Sequence, residues 1–309
     1  MGRRPGVQMG VEGVLPVIPT PFRDGEFDEV SFGRMLDRML PFVDGYTLLG
    51  STGEAPSLPD EARREIVSAA LRLTPDDKRV VVGVSHTSAA AAAELARHAQ
   101  ADGAHAVLCC APYYFPNVAD GVLAYLAVLD AALEVDLVLY DNPVSTKTDL
   151  QTEWVLEWAA RLQHLTSVKL TAHDLEKIDP WRGAGLNVLA GDDAILFQYL
   201  ARGVDGAMVI APAVLPQSFA ALWESVRAGE IEKALEIFAA DLAPFIAIFG
   251  IGDEIATTKA LFAATGVFDS AELLPPLREV DPARVAGLRQ SWELGMRSAE
   301  ARAGEGAPA

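Results

Sequence analysis

Eight short apolar runs rich in β-branched residues recur along the chain, at Gly13–Pro19, Gly45–Ser51, Val80–Ser85, Ala104–Ala111, Val135–Tyr140, Leu165–Leu170, Leu186–Gly191 and Gly206–Ala211. Between them lie segments with an apolar residue every three or four positions: Glu29–Leu40, Asp60–Leu73, Ser88–Ala101, Val118–Leu133 and Thr152–Arg161. The first pattern predicts strands and the second amphipathic helices. Strand then helix, repeated, predicts parallel pairing, since parallel neighbours need a crossover. The runs are nearly continuous rather than alternating, as expected when crossover helices cover both faces. A doubly wound open sheet would share this pattern. Eight units, with no Gly-rich dinucleotide fingerprint after the first strand, favour closure into an α/β fold of the (β/α)8 TIM barrel type.

After the eighth run the pattern changes. Pro216–Arg227, Ile231–Phe249, Glu254–Ala264 and Pro282–Arg297 all read as helices with no strand between them. The first is expected to complete the barrel, and the others to form a C-terminal α-helical appendage packed beneath or beside it. The expected organisation is a catalytic barrel over residues 1–225, a helical extension over 226–300, and a flexible tail of small, polar residues over 301–309.

The 309 residues leave room for this appendage beyond the roughly 250 that such a barrel needs. Half of them are apolar and 22% charged, a globular composition. The net charge of −18 argues against a nucleic-acid partner, which calls for clustered Lys and Arg. It does not select a small ligand, because an anion needs only one local positive site. Cys109 and Cys110 are adjacent, which offers neither a disulfide framework nor metal-ligand spacing. His86, His98, His105, His164 and His173 are scattered, again without metal spacing. Neither metal nor cofactor is expected. The leading MGRRPGVQ is basic without an apolar stretch, and no run reaches the roughly 18 apolar residues of a membrane span. A soluble, cytoplasmic protein with no membrane partner is expected.

In a barrel, chemistry sits at the C-terminal ends of the strands. The second run ends in Gly50-Ser51-Thr52-Gly53-Glu54, the fourth leads into Pro112-Tyr113-Tyr114-Phe115-Pro116, the fifth into Tyr140-Asp141-Asn142-Pro143, and the sixth carries Lys169. An ammonium inside an apolar strand costs several kcal/mol unless paired, and burial favours the neutral amine, the form that attacks a carbonyl. A lysine snorkelling from the strand mouth to solvent is the competing reading. Schiff-base chemistry also needs a proton shuttle, and Tyr140 closes the adjacent strand at the right level. Ser51 and Tyr114 extend it into a hydroxyl chain, and backbone N–H groups around Ser51 and Thr52 suit a carboxylate. Singly, each of these has a structural explanation. As a set they point to an amine nucleophile.

These residues, with Pro19-Thr20-Pro21-Phe22, Gly191-Asp192-Asp193 and Pro275-Pro276-Leu277, resemble the dihydrodipicolinate synthase and N-acetylneuraminate lyase superfamily over nearly the whole barrel. The resemblance implies that Lys169 is the Schiff-base lysine, Tyr140 the general acid/base, and Ser51 and Tyr114 the rest of the relay. It also implies that Tyr114 acts across a dimer interface, so that a homo-oligomer, dimer or tetramer, is expected. Met208 would form an apolar wall near the methyl end of pyruvate, although a plain core methionine reads equally well.

Synthases that condense pyruvate with aspartate semialdehyde usually carry Arg where this chain has Ser145. Lys147 follows, but a point charge does not reproduce a planar fork. Two substrate expectations result: a 4-hydroxy-tetrahydrodipicolinate synthase-like lyase, or an aldolase or dehydratase of 2-keto-3-deoxy sugar acids or hydroxy-2-oxo acids. A catalytically silent barrel that binds an oxo acid is the alternative of another class. Asp192 and Asp193 are expected to cap a helix rather than bind metal or substrate, Glu54 to brace its loop, and His86 to line the pocket.

Overall fold

The computed structural model describes residues 10–249 and 253–305. The leading MGRRPGVQ and residues 306–309 of the expected tail lie outside them. Strands are numbered β1 (Gly13–Val14), β2 (Phe22–Arg23), β3 (Glu26–Phe27), β4 (Gly45–Leu48), β5 (Arg79–Gly83), β6 (Ala106–Cys110), β7 (Asp136–Asp141), β8 (Leu165–Leu170), β9 (Asn187–Ala190) and β10 (Gly206–Ala207). The sheet order is β1-β10-β9-β8-β7-β6-β5-β4 with every pairing parallel. Closure comes from a parallel bridge between Val17 and Thr47, and from the Thr47 N–H donating to Pro16 O at 2.8 Å. All eight expected strands are present and the fold is a TIM barrel.

The continuous apolar runs have the predicted cause, since every residue of β6, β7 and β8 is buried. The helices cover them with one stripe each. In Glu29–Met39 the buried Phe32, Met35, Leu36 and Met39 follow helical spacing, and Asp28 caps the helix by accepting the Val30 and Ser31 N–H groups. The hairpin β2-β3 is additional to the expected elements. Its turn, Asp24-Gly25, has positive φ at both residues, the geometry that favours Asp-Gly in two-residue hairpins.

The extension departs from expectation in two places. Ile231–Phe249 is not one regular helix, because a π-helical turn at Phe238–Leu242 separates Ile231–Ile237 from Ala243–Phe249. Asp241 in that turn is fully buried and paired with Arg302. The last helix runs Pro282–Glu305, so residues 301–305 are helical rather than part of a tail. The same ion pair holds that end of the chain down. Elsewhere the extension packs beside the barrel, with Arg38 of the first helix between the rings of Phe262 and Trp292. It also reaches the mouth of the barrel through Lys259. Among the described residues no single helix is long and apolar enough to cross a membrane.

Candidate active site

Lys169 and Tyr140 occupy equivalent positions, each the fifth residue of a six-residue strand. A bulge brings them level: Leu137 pairs with Leu165 but Val138 pairs with Ser167, which leaves Thr166 as an extra residue and sets Tyr140 opposite Lys169. Paired residues of parallel strands project from the same face. The Lys169 Nζ lies 4.2 Å from the centroid of the Tyr140 ring. Lys169 is 4% exposed and Tyr140 8%, and neither Nζ nor the phenol finds a hydrogen-bond partner among the described residues. The register neighbours on either side of the pair are Leu189 and Cys110, and the buried Asp193 carboxyl lies within electrostatic reach of the amine. Burial pushes the Cys109 thiol up to about 12 and raises that of Cys110, which keeps both thiols protonated and poor nucleophiles.

The loop after β4 is a tight turn. The Gly53 N–H donates to Gly50 O at 3.1 Å and the Glu54 N–H to Ser51 O at 3.0 Å. Ser51 is exposed at the mouth and Thr52 is buried. Neither of their own N–H groups finds an acceptor among the described residues, so both can receive an anion. Thr20 Oγ1 donates to Gly53 O at 2.8 Å. Glu54 braces the loop, as expected, but its partner lies far away in sequence: Lys259 Nζ is 2.6 Å from Oε1, with both side chains fully buried. Burial lowers the Lys259 ammonium from its ordinary value, while the Glu54 carboxylate pulls it back up.

Tyr114 is not brought to Lys169 within this chain. It is 80% exposed and stacks edge-on against Phe115 at 5.0 Å. Phe115, Val118 and Val144, also exposed, share the mouth loops after β6 and β7, which Asn117 ties together by donating to Thr148 Oγ1 at 2.8 Å. Met208 is fully buried beside β9, its N–H donating to Ala190 O.

At the position where an arginine was weighed, the two polar side chains are held within their own loop. Ser145 is engaged by Asn142, whose Nδ2 donates to Ser145 Oγ at 3.1 Å and whose Oδ1 accepts the Ser145 N–H. The Lys147 ammonium donates to Val144 O in its own loop at 2.7 Å. Lys177, which the sequence did not single out, is buried between Asp141 at 3.0 Å and Asp149 at 2.6 Å. Its only sequence signal was an acid directly following Tyr140. The network ties the loop after β7 to the helical turn after β8.

Asp192 caps the turn at Asp193–Ile195 through the Ala194 N–H, and also pairs with His173 at 2.8 Å. Asp193 caps further along: it accepts the Ile210 and Ala211 N–H groups at the start of Ala211–Val214. Burial raises its carboxyl to about 6. His86 sits at the rim, its Nδ1 accepting the Ser88 N–H. Among the described residues there is no group of three His, Cys, Asp or Glu side chains able to hold a metal ion.

Residues 10–290 match the dihydrodipicolinate synthetase family. The chain is 30% identical over 279 residues to the 4-hydroxy-tetrahydrodipicolinate synthase of Salinibacter ruber, covering 88% of this chain and 92% of that one. Among solved structures it resembles YagE of E. coli K12, a prophage protein of the dihydrodipicolinic acid synthase family solved with pyruvate: 27% identity, TM-score 0.86, 92% of this chain and 99% of that one. It also resembles dihydrodipicolinate synthase of Thermotoga maritima, with 26% identity, TM-score 0.87, and 94% and 99% coverage.

Proposed function

This chain belongs to the dihydrodipicolinate synthetase family, whose members are lyases, and we propose that it forms a Schiff base between Lys169 and pyruvate. The observation that carries the proposal is the level pairing of Lys169 and Tyr140 at the barrel mouth, with neither polar group hydrogen-bonded to a described residue. The neutral amine of Lys169 adds to the 2-oxo carbon to give a carbinolamine. Tyr140 delivers the proton with which the hydroxyl departs as water, leaving an iminium. Removal of a methyl proton then gives an enamine, which adds to the carbonyl carbon of an aldehyde. Hydrolysis of the new iminium frees the product and restores the amine. The Ser51 and Thr52 N–H groups hold the carboxylate of pyruvate, and Met208 lies toward its methyl.

Tyr114 completes the proton relay from a second copy of the chain. Its 80% exposure alongside Phe115, Val118 and Val144 supports that assignment, since a large exposed apolar patch suits an interface better than water. The adjacent free thiols of Cys109 and Cys110 suit a reducing cytoplasm.

For the second substrate, the engagement of Ser145 by Asn142 favours an aldehyde without a carboxylate to clamp, as released from a 2-keto-3-deoxy sugar acid or hydroxy-2-oxo acid. Aspartate semialdehyde is the competing partner. Incubation with pyruvate and borohydride, followed by peptide mass spectrometry, tests the central step: a reduced adduct on Lys169 is expected, and its absence refutes the proposal. A panel of aldehydes supplied with pyruvate then separates the two partners by product mass.

A further inference from the structure

Glu54 and Lys259 stand 205 positions apart in the sequence and meet at 2.6 Å, both side chains fully buried. The other carboxylate oxygen accepts the Leu274 N–H at 2.7 Å, and Lys259 Nζ lies 4.4 Å from the centroid of the Phe22 ring. A buried pair of this kind is a weak source of stability, because desolvating two charges offsets most of their attraction and an apolar pair does as well. What it supplies is a single fixed arrangement. Glu54 is held at φ 58, a left-handed conformation unfavourable for a residue with a side chain. Its N–H closes the turn onto Ser51 O, and the next residue back, Gly53, is gripped by Thr20. Gly53 leaves no slack either, since a Cβ there would stand 2.9 Å from Leu49 N and Cα. The extension therefore pulls on the residue that ends the turn presenting the Ser51 and Thr52 N–H groups.

We propose that Lys259 is a positioning residue for the active site: acting through Glu54, it holds the Ser51-Thr52 turn in the shape that receives the carboxylate of pyruvate. The inference rests on the pyruvate reading above. It makes the C-terminal extension part of the binding apparatus rather than packing alone. Lys259 touches no substrate, so its loss acts on pyruvate capture and leaves the Lys169 nucleophile in place.

The test uses Lys259→Met and the double variant Glu54→Gln with Lys259→Met, which removes both charges at nearly constant volume. The double variant is expected to melt at or above the wild-type temperature. Its KM for pyruvate should rise roughly tenfold or more, as expected when a binding turn is misplaced. Borohydride should still trap Lys169 at saturating pyruvate. A folded double variant with the wild-type KM and trapping rate overturns the inference, because a purely structural brace predicts that result. Should neither variant fold, hydrogen exchange on the wild-type protein decides. The borohydride-fixed adduct should exchange more slowly than the free protein both in residues 51–55 and in the helix Glu254–Ala264; unchanged exchange in that helix overturns the inference. Wild-type protein that traps no pyruvate removes the pyruvate reading along with this one, whereas trapping with unchanged KM removes this one alone.

Discussion

The Lys169 ammonium nitrogen lies 4.2 Å from the centre of the Tyr140 ring, on the neighbouring strand and at the same level. An aromatic face gives a buried amine some electrostatic support without accepting a hydrogen bond from it. The amine thus rests against the ring without a hydrogen bond to any described residue.

Replacement of Lys169 by Ala removes the only lysine on β8 and should abolish the reduced pyruvate adduct and all turnover. Intact-mass measurement after borohydride treatment checks this. An adduct persisting at unchanged yield would place the nucleophile elsewhere.

Tyr140→Phe keeps the ring beneath Lys169 and removes only a hydroxyl that has no partner among the described residues. The fold should be unaffected and turnover should fall by about 10²–10⁴, the usual worth of a positioned acid/base. The adduct should still form, more slowly. Steady-state turnover and trapping time courses on the same preparation separate the two effects.

Tyr114→Phe should leave the melting temperature unchanged, because the side chain is 80% exposed, yet lower turnover if the phenol serves a second copy. Mixing inactive Lys169→Ala with Tyr114→Phe protein under conditions that exchange subunits should restore activity, since one site of each mixed pair then holds an intact lysine and tyrosine. No recovery would confine Tyr114 to its own chain or remove it from the mechanism.

Ser145→Arg places a guanidinium where Asn142 now holds a hydroxyl. It should raise kcat/KM for aspartate semialdehyde with pyruvate by roughly tenfold or more, in line with a bidentate carboxylate contact. Activity on a hydroxylated aldehyde should not rise with it. Competition between the two aldehydes in one reaction reads the ratio directly.

Asp136 opens β7 with its carboxyl raised to about 6, chiefly by burial, and its buried Oδ1 has no hydrogen-bond partner among the described residues. A carboxyl whose value rises on folding binds its proton more tightly in the native state. Its contribution is therefore fully present below the unfolded value of 3.8 and is lost as the pH climbs through about 6. Asp136→Asn should raise stability at pH 7.5 by on the order of 1–3 kcal/mol and change it little at pH 4. Urea melts at the two pH values test the difference.

The alternation of apolar runs and amphipathic segments was enough to determine eight strands, their parallel sense and the barrel, because burial on both faces leaves a residue-by-residue mark. The helices Asp60–Leu73 and Thr152–Arg161 were legible to the residue from the spacing of their apolar positions. Lys169 and Tyr140 stood out for a related reason: a charge and a phenol are conspicuous in runs that are otherwise apolar. What the sequence could not determine was any relationship set by distance through space. The bulge at Thr166 levels the two residues, Lys259 finds Glu54 across 205 positions, Lys177 joins Asp141 to Asp149, and Arg302 carries the last helix past its expected end by holding Asp241. Periodicity records which face of an element is buried, but it does not record which buried charges meet. That choice is made when the barrel closes and desolvation leaves each charge only the partners within reach.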